Sequence, residues 1–164
     1  MSKKSSSVRA APVAIVMGSQ SDMSVMTAAG DALKKLGIAS HTAIISAHRT
    51  PHEVAKFAEG ARKKGIQVII AGAGGAAHLP GMIAAYTELP VIGVPVPIGP
   101  MQGTDALHSI VQMPKGVPVA TVAIGNAWNA GVLAAQILGT GDSKILDRVL
   151  GYKAEMREAV LSSK

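Results

Sequence analysis

The chain has 164 residues, 48% hydrophobic and 16% charged, with 18 glycines, one Trp, two Tyr, one Phe and no cysteine. That length suits a single domain, and so much apolar mass with so little charge excludes disorder, while the missing cysteines exclude disulfides, thiolate-held metals and thiol catalysis. The formal charge of +6 invites a nucleic-acid partner, but half of the surplus is Lys3, Lys4 and Arg9, and Gly65–Pro114 holds no Lys or Arg.

Met1–Ala10 is Ser-rich and basic and is expected to be a disordered tail ahead of one domain over 11–164. Pro12–Met17 reads as a buried strand, ended by Gly18-Ser-Gln-Ser-Asp22. A helix from about Asp22 to Leu36 carries Met23, Met26, Ala29, Leu33 and Leu36 near a 3.6-residue period. His41–Ile45 is a second strand. Thr50, Pro51 and Glu53 then predict a capping box and a helix running to about Lys64. Ile66–Ala71 is a third strand, followed by Gly72-Ala-Gly-Gly-Ala-Ala-His78 and a short helix over Leu79–Tyr86. Pro90–Pro95 is a fourth strand, Val96–Gly103 a Pro- and Gly-rich loop, and Thr104–Gln112 a helix. Val117–Ile124 reads as strand five, Trp128–Leu138 as an uncharged helix, and Asp142–Leu161 as a polar amphipathic one.

Strands that are apolar throughout and alternate with helices predict a parallel sheet covered on both faces. The expected fold is therefore α/β, a single three-layer sandwich of flavodoxin or Rossmann-like type. The basic runs Lys34-Lys35 and Arg62-Lys63-Lys64 each close a helix just before a glycine, where cations complement the helix dipole. Few aromatics are present to stack bases, so nucleic acid is not an expected partner. No run reaches the roughly 18 apolar residues of a membrane span. The tail lacks the apolar centre of a secretion signal, and a cytoplasmic protein is expected.

In such sheets ligands bind beyond the carboxyl ends of the strands. The first three loops therefore carry the candidate chemistry. In the first, Ser19 and the free N–H groups of the following helix can hold a phosphate. Asp22 can accept hydrogen bonds from ribose hydroxyls or simply cap its helix. In the second, Ser46-Ala-His48-Arg49-Thr-Pro51, Arg49 offers a fork of donors suited to phosphate or to an ion pair. His48 can carry a proton or pack against its own helix. The third loop has no charge and almost no bulk, so its backbone can approach a small anion or neutral molecule directly. It ends in His78. No Lys-Ser/Thr follows, which excludes a Walker loop. His41, His52 and His108 have no partner at metal-ligand spacing, and no metal is expected.

Together, GSQSD (18–22), SAHRTP (46–51), AGAGGAAHLPGM (71–82), PVIGVPV (90–96) and SIVQMPKGVPVATVAIG (109–125) closely resemble the class I PurE family. Its members are N5-carboxyaminoimidazole ribonucleotide mutases of de novo purine biosynthesis. The resemblance implies that Ser19 and Asp22 hold the substrate's 5′-phosphate and ribose, and that Arg49 binds the phosphate. It implies that His48 is the catalytic residue. Gly72, Ala73, Gly74, Gly75 and His78 would enclose the carboxylate or carbon dioxide, with Ser46 and Leu79 lining the same site. No cofactor is implied, and the partners are the phosphorylated aminoimidazole ribonucleotide and other copies of the chain in an octamer. The chain departs from the family pattern at Asn126–Leu138, which is two residues shorter and carries Trp128, and at Pro97–Gly103. A class II carboxylase using carbon dioxide directly is the nearest alternative, but that class lacks the GAGGAAHLPG run. A flavin module would need aromatics in the three loops, which hold none.

Overall fold

The computed structural model describes residues 11–163, so the expected tail over Met1–Ala10 lies outside the described residues. The elements follow the predicted alternation: β1 (Val13–Met17), α1 (Met23–Lys35), β2 (Ser40–Ile44), α2 (Pro51–Ala61), β3 (Val68–Ala73) and α3 (Leu79–Tyr86), then β4 (Val91–Pro95), α4 (Thr104–Val111), β5 (Ala120–Thr121), α5 (Ala127–Gly139) and α6 (Ser143–Leu161). The five strands form one parallel sheet in the order β2-β1-β3-β4-β5. This is the flavodoxin-like order, with the chain reversing direction across the sheet beside β1.

Alternate side chains of each strand serve opposite layers. Val13, Ile15, Met17, Val68, Ile70, Ile92 and Val94 pack under α1, α5 and α6. Ala14, Val16, Ile69, Ala71 and Val91 pack under α2, α3 and α4. In register, Met17 stands beside Ile44 and Gly72, and Gly72 beside Val94. The carboxyl ends of four strands are therefore level, and the loops that follow leave from one edge.

Two strands differ from expectation. β2 is not buried: Ser40, His41, Thr42 and Ile44 are exposed, and the strand lies at one edge of the sheet. β5 is two residues rather than the eight of Val117–Ile124. It pairs only with β4, and Pro118 has no N–H to extend the ladder.

The uncharged helix obtains its cover within the chain. α5 lies between α1 and α6 and over β3 and β4, with Ala127, Ala130, Ala134 and Ala135 fully buried. Close approach requires Gly131, where a Cβ would stand 2.7 Å from the Ala29 carbonyl oxygen and 2.8 Å from the Ala32 Cβ. Trp128 Nε1 donates to the Tyr152 hydroxyl at 2.9 Å, tying α5 to α6. Lys34-Lys35 does end α1, whereas Arg62–Lys64 forms a 3₁₀ turn directly after α2; Gly37 and Gly65 follow in the left-handed conformation at φ +66° and +81°. Among the described residues no helix is long and apolar enough to cross a membrane.

Candidate active site

The loops after β1, β2 and β3, with one residue beyond β4, enclose a cavity of about 450 Å³. It is lined by Gly18, Ser19, Ser21, Asp22, Ser46, Ala47, His48, Arg49, Ala73, Gly74, Ala76, His78, Leu79 and Ile98. Three motifs that the sequence spreads from Gly18 to Leu79 thus meet in one place.

The capping box that the sequence suggests at Thr50 is absent. Thr50 Oγ1 instead accepts from the Ser46 N–H at 3.1 Å and donates to the Ser46 carbonyl at 2.9 Å, closing the 46–50 turn. A capping box does form at Ser19 and Asp22, around the short 3₁₀ turn Gln20–Asp22 that precedes α1. Ser19 Oγ accepts from the Ser21 N–H at 3.3 Å, and the Ser19 N–H donates to Asp22 Oδ2 at 3.1 Å. Asp22 is therefore a capping residue and a wall of the cavity at once. Only 4% exposed, its carboxyl titrates above the ordinary range because burial outweighs the hydrogen bonds from Ser19, Ser21 and Gly18 and the charge of Arg49.

Arg49 joins the first two loops. Its Nε donates to Ser46 Oγ at 3.1 Å and its Nη2 to the Gly18 carbonyl at 3.1 Å. Those bonds fix the guanidinium plane and leave Nη1 and its protons for a ligand. Ser46 also accepts from the Arg49 backbone N–H at 3.3 Å, so it acts as a bracket for the arginine.

His48 and His78 join the second and third loops. His48 Nε2 lies 2.8 Å from His78 Nδ1, with the rings nearly perpendicular and their centres 4.9 Å apart. His78 occupies the N-cap position of α3, yet its ring makes no cap bond and turns to His48 instead.

Of the residues expected here, Ser19, Asp22, Ser46, His48, Arg49, Ala73, Gly74, His78 and Leu79 line the cavity, while Gly72 and Gly75 do not. Gly72 is the penultimate residue of β3, and a Cβ there would meet the Met26 side chain, 2.8 Å from its Cε. Its small size lets α1 approach the sheet. Gly75 faces open space and has a positive φ of 59°, so its role is to turn the chain. Sequence reasoning did not single out Gly18, Ser21, Ala47 or Ile98, while Ala76 belongs to the expected third loop. The first three adjoin residues already singled out. Ile98 carries no signal of its own beyond lying in the segment where the chain departs from the family pattern. Among the described residues no group of three or more His, Asp or Glu is placed to hold a metal ion.

The arrangement offers an anion cradle at Ser19 and Arg49, a buried carboxyl, a pair of imidazoles and a wall of Ala, Gly, Leu and Ile. It can bind a phosphorylated polar molecule at one end and move a proton beside a small apolar space at the other. The family model for AIR carboxylase matches residues 12–159. The chain is 54% identical to N5-carboxyaminoimidazole ribonucleotide mutase of Vibrio vulnificus over 153 residues, covering 92% of this chain and 95% of that protein. It is 57% identical over 149 residues to the protein of the same name from Thermotoga maritima, covering 91% and 87%. Among solved structures it is similar to PurE of Treponema denticola, with a TM-score of 0.82, 29% identity and coverage of 92% and 94%.

Proposed function

The chain belongs to the AIR carboxylase family, and on that footing we propose that it is an N5-carboxyaminoimidazole ribonucleotide mutase. It is an enzyme of purine biosynthesis that moves a carboxyl group from the exocyclic amine of the aminoimidazole ribonucleotide to ring carbon C4. The observation that carries this reading is the convergence of the three loops on one cavity, with the His48–His78 pair inside it.

Ser19 and Arg49 hold the 5′-phosphate, and Asp22 accepts from the ribose hydroxyls. His48 delivers a proton to the exocyclic nitrogen as the nitrogen–carbon bond breaks, and the bonding electrons stay on that nitrogen. Carbon dioxide and the aminoimidazole ribonucleotide are then neighbours. C4, made electron-rich by the amine, attacks carbon dioxide, and the new carboxylate forms beside Ala73, Gly74 and His78. Removal of the C4 proton by His48 restores the aromatic ring and returns the histidine to its starting state. Leu79 and Ser46 complete the walls, with Gly72 and Gly75 shaping the loop behind them. Electrons and protons balance within the substrate and His48, so the cycle needs no co-reactant.

Exposed apolar residues, among them Ile44, Tyr86, Met101, Val111, Leu150 and Val160, support assembly with further copies. We take the assembly to be a homo-octamer acting in the cytoplasm. Incubating the purified protein with N5-carboxyaminoimidazole ribonucleotide and following formation of the C4-carboxylated isomer tests the activity. Conversion without any added cofactor is expected. Folded protein that leaves the substrate unchanged beyond its spontaneous decay would overturn the reading.

A further inference from the structure

We propose that Ile98 seals the carbon dioxide side of the cavity and thereby keeps the transferred carboxyl group on the enzyme between the two half-reactions. This rests on the mutase reading and assigns within it a retention role to a residue from outside the three motif loops.

Ile98 comes from the loop after β4, while every other lining residue lies in the loops after β1, β2 and β3 or at the end of an element that such a loop joins. Its side chain lies directly on Gly74: a Cβ at that position would collide with Ile98 Cγ1 and stand 2.5 Å from Cδ1. Gly74 is thus bare because Ile98 occupies the space, and the two together form the apolar wall next to Ala73, Ala76 and Leu79. Carbon dioxide has no donor to offer and no net dipole, so an apolar wall costs it little. Water loses hydrogen bonds there and is kept out.

The loop is built to hold Ile98 in place. Val96 N–H donates to the Ala73 carbonyl at 2.9 Å, joining the start of the loop to the end of β3. Ile98 N–H donates to the Val96 carbonyl at 3.0 Å, which curls the chain back. Gly103 closes the far end, where a Cβ would stand 2.6 Å from Ile124 Cγ2 and 3.1 Å from the Pro97 Cα. Between them Gln102 adopts a left-handed φ of 51°, unusual for a residue with a side chain, and its Nε2 donates to the Gly99 carbonyl at 3.1 Å. A loop this constrained holds an isoleucine that is nonetheless 41% exposed. Burial of the side chain does not account for that expense of structure. A seal at the mouth of the cavity does.

The nitrogen–carbon bond breaks before the C4–carbon bond forms, so carbon dioxide is free for an interval. During it the gas either reacts with C4 or escapes past Ile98 and is replaced from solution. The experiment uses N5-carboxyaminoimidazole ribonucleotide with a ¹³C carboxyl group in excess unlabelled bicarbonate, and reads label in the product together with free aminoimidazole ribonucleotide. The native enzyme is expected to keep nearly all the label. Ile98→Ala and Ile98→Ser are expected to raise the leaked fraction about tenfold or more, the loss of apolar contact being the cause. Ile98→Leu, equal in apolar bulk, restores retention.

A merely structural loop residue would lower kcat without changing the fate of the label. Label retention in the Ala and Ser variants equal to the native enzyme's, or leakage from the Leu variant equal to theirs, would overturn the assignment. If the native enzyme converts nothing, the mutase reading itself fails. If it converts without label loss in any variant, only the role of Ile98 does.

Discussion

His48 Nε2 and His78 Nδ1 stand 2.8 Å apart, joining two loops whose histidines are thirty residues apart in the chain. A hydrogen bond between two imidazoles requires one protonated and one bare nitrogen. The tautomer of one ring therefore sets that of the other, and the edge-on approach fixes the plane of His48. In a cycle that gives a proton to nitrogen and takes one from C4, such a partner defines which nitrogen of His48 is the carrier. It also makes His48 the side chain whose loss should be felt in chemistry rather than in binding.

His48→Asn keeps a polar group at the site but carries no proton. Its kcat is expected to fall by about 10²–10⁴-fold, the usual worth of a positioned acid–base group. Affinity for the C4-carboxylated product, read by calorimetry, should stay within a few-fold of native. A near-native kcat would remove His48 from its role.

Arg49 holds its fork by bonds to Ser46 and Gly18. Lysine retains the charge but has no planar fork to bracket, so Arg49→Lys should act on binding. KM is expected to rise by about tenfold or more with kcat changed far less. Initial-rate kinetics over a range of substrate concentration separates the two parameters.

Asp22 gives a prediction with a sign. Its folded carboxyl titrates above the ordinary range because of burial, so the folded protein holds that proton more tightly than the unfolded chain. The corresponding stability is present in acid and is lost as pH rises from the ordinary carboxylate range through the raised folded value. Asp22→Asn can still accept the Ser19 N–H while carrying no buried charge. Its melting temperature should match or exceed native above that window, with a flatter dependence on pH, while ribonucleotide binding weakens by about tenfold or more. Differential scanning calorimetry across acidic and neutral pH checks the first part and titration of ligand the second.

The layer order and most element boundaries were readable from the chain because the buried strands are continuous apolar runs and the helices carry a 3.6-residue period. The exceptions have local causes. β2 lies at an edge, where apolar pressure is relaxed, and β5 is cut short by Pro118 and by having a single neighbour. The Thr50 hydroxyl looked like a cap from spacing alone, but it accepts from the Ser46 N–H rather than from the first turn of α2. The site was legible where motifs are local: Ser19 with Asp22, and Ser46 with His48 and Arg49. The His48–His78 bond and the seat of Ile98 on Gly74 join loops after different strands, and no local pattern encodes them. Gly72 lies outside the cavity lining for the same reason, since its constraint comes from Met26 on another element.

Gly131 tests the packing behind the site. A methyl group there would press on the Ala29 carbonyl and the Ala32 Cβ, both parts of a rigid helix. Gly131→Ala is expected to destabilise the protein by about 1–3 kcal/mol through overpacking. In a chain of this size each kcal/mol lowers Tm by about 2–4 °C. Thermal unfolding followed by circular dichroism measures it, and an unchanged Tm would mean that α1 and α5 pack less tightly than described.

The most direct measurement offers the purified enzyme two substrates separately: N5-carboxyaminoimidazole ribonucleotide in bicarbonate-free buffer, and aminoimidazole ribonucleotide in bicarbonate-rich buffer. Rapid conversion of the first, with much slower carboxylation of the second, is the result expected of a mutase that keeps its carboxyl group within the cavity between the two half-reactions. Turnover only from aminoimidazole ribonucleotide and carbon dioxide would contradict it.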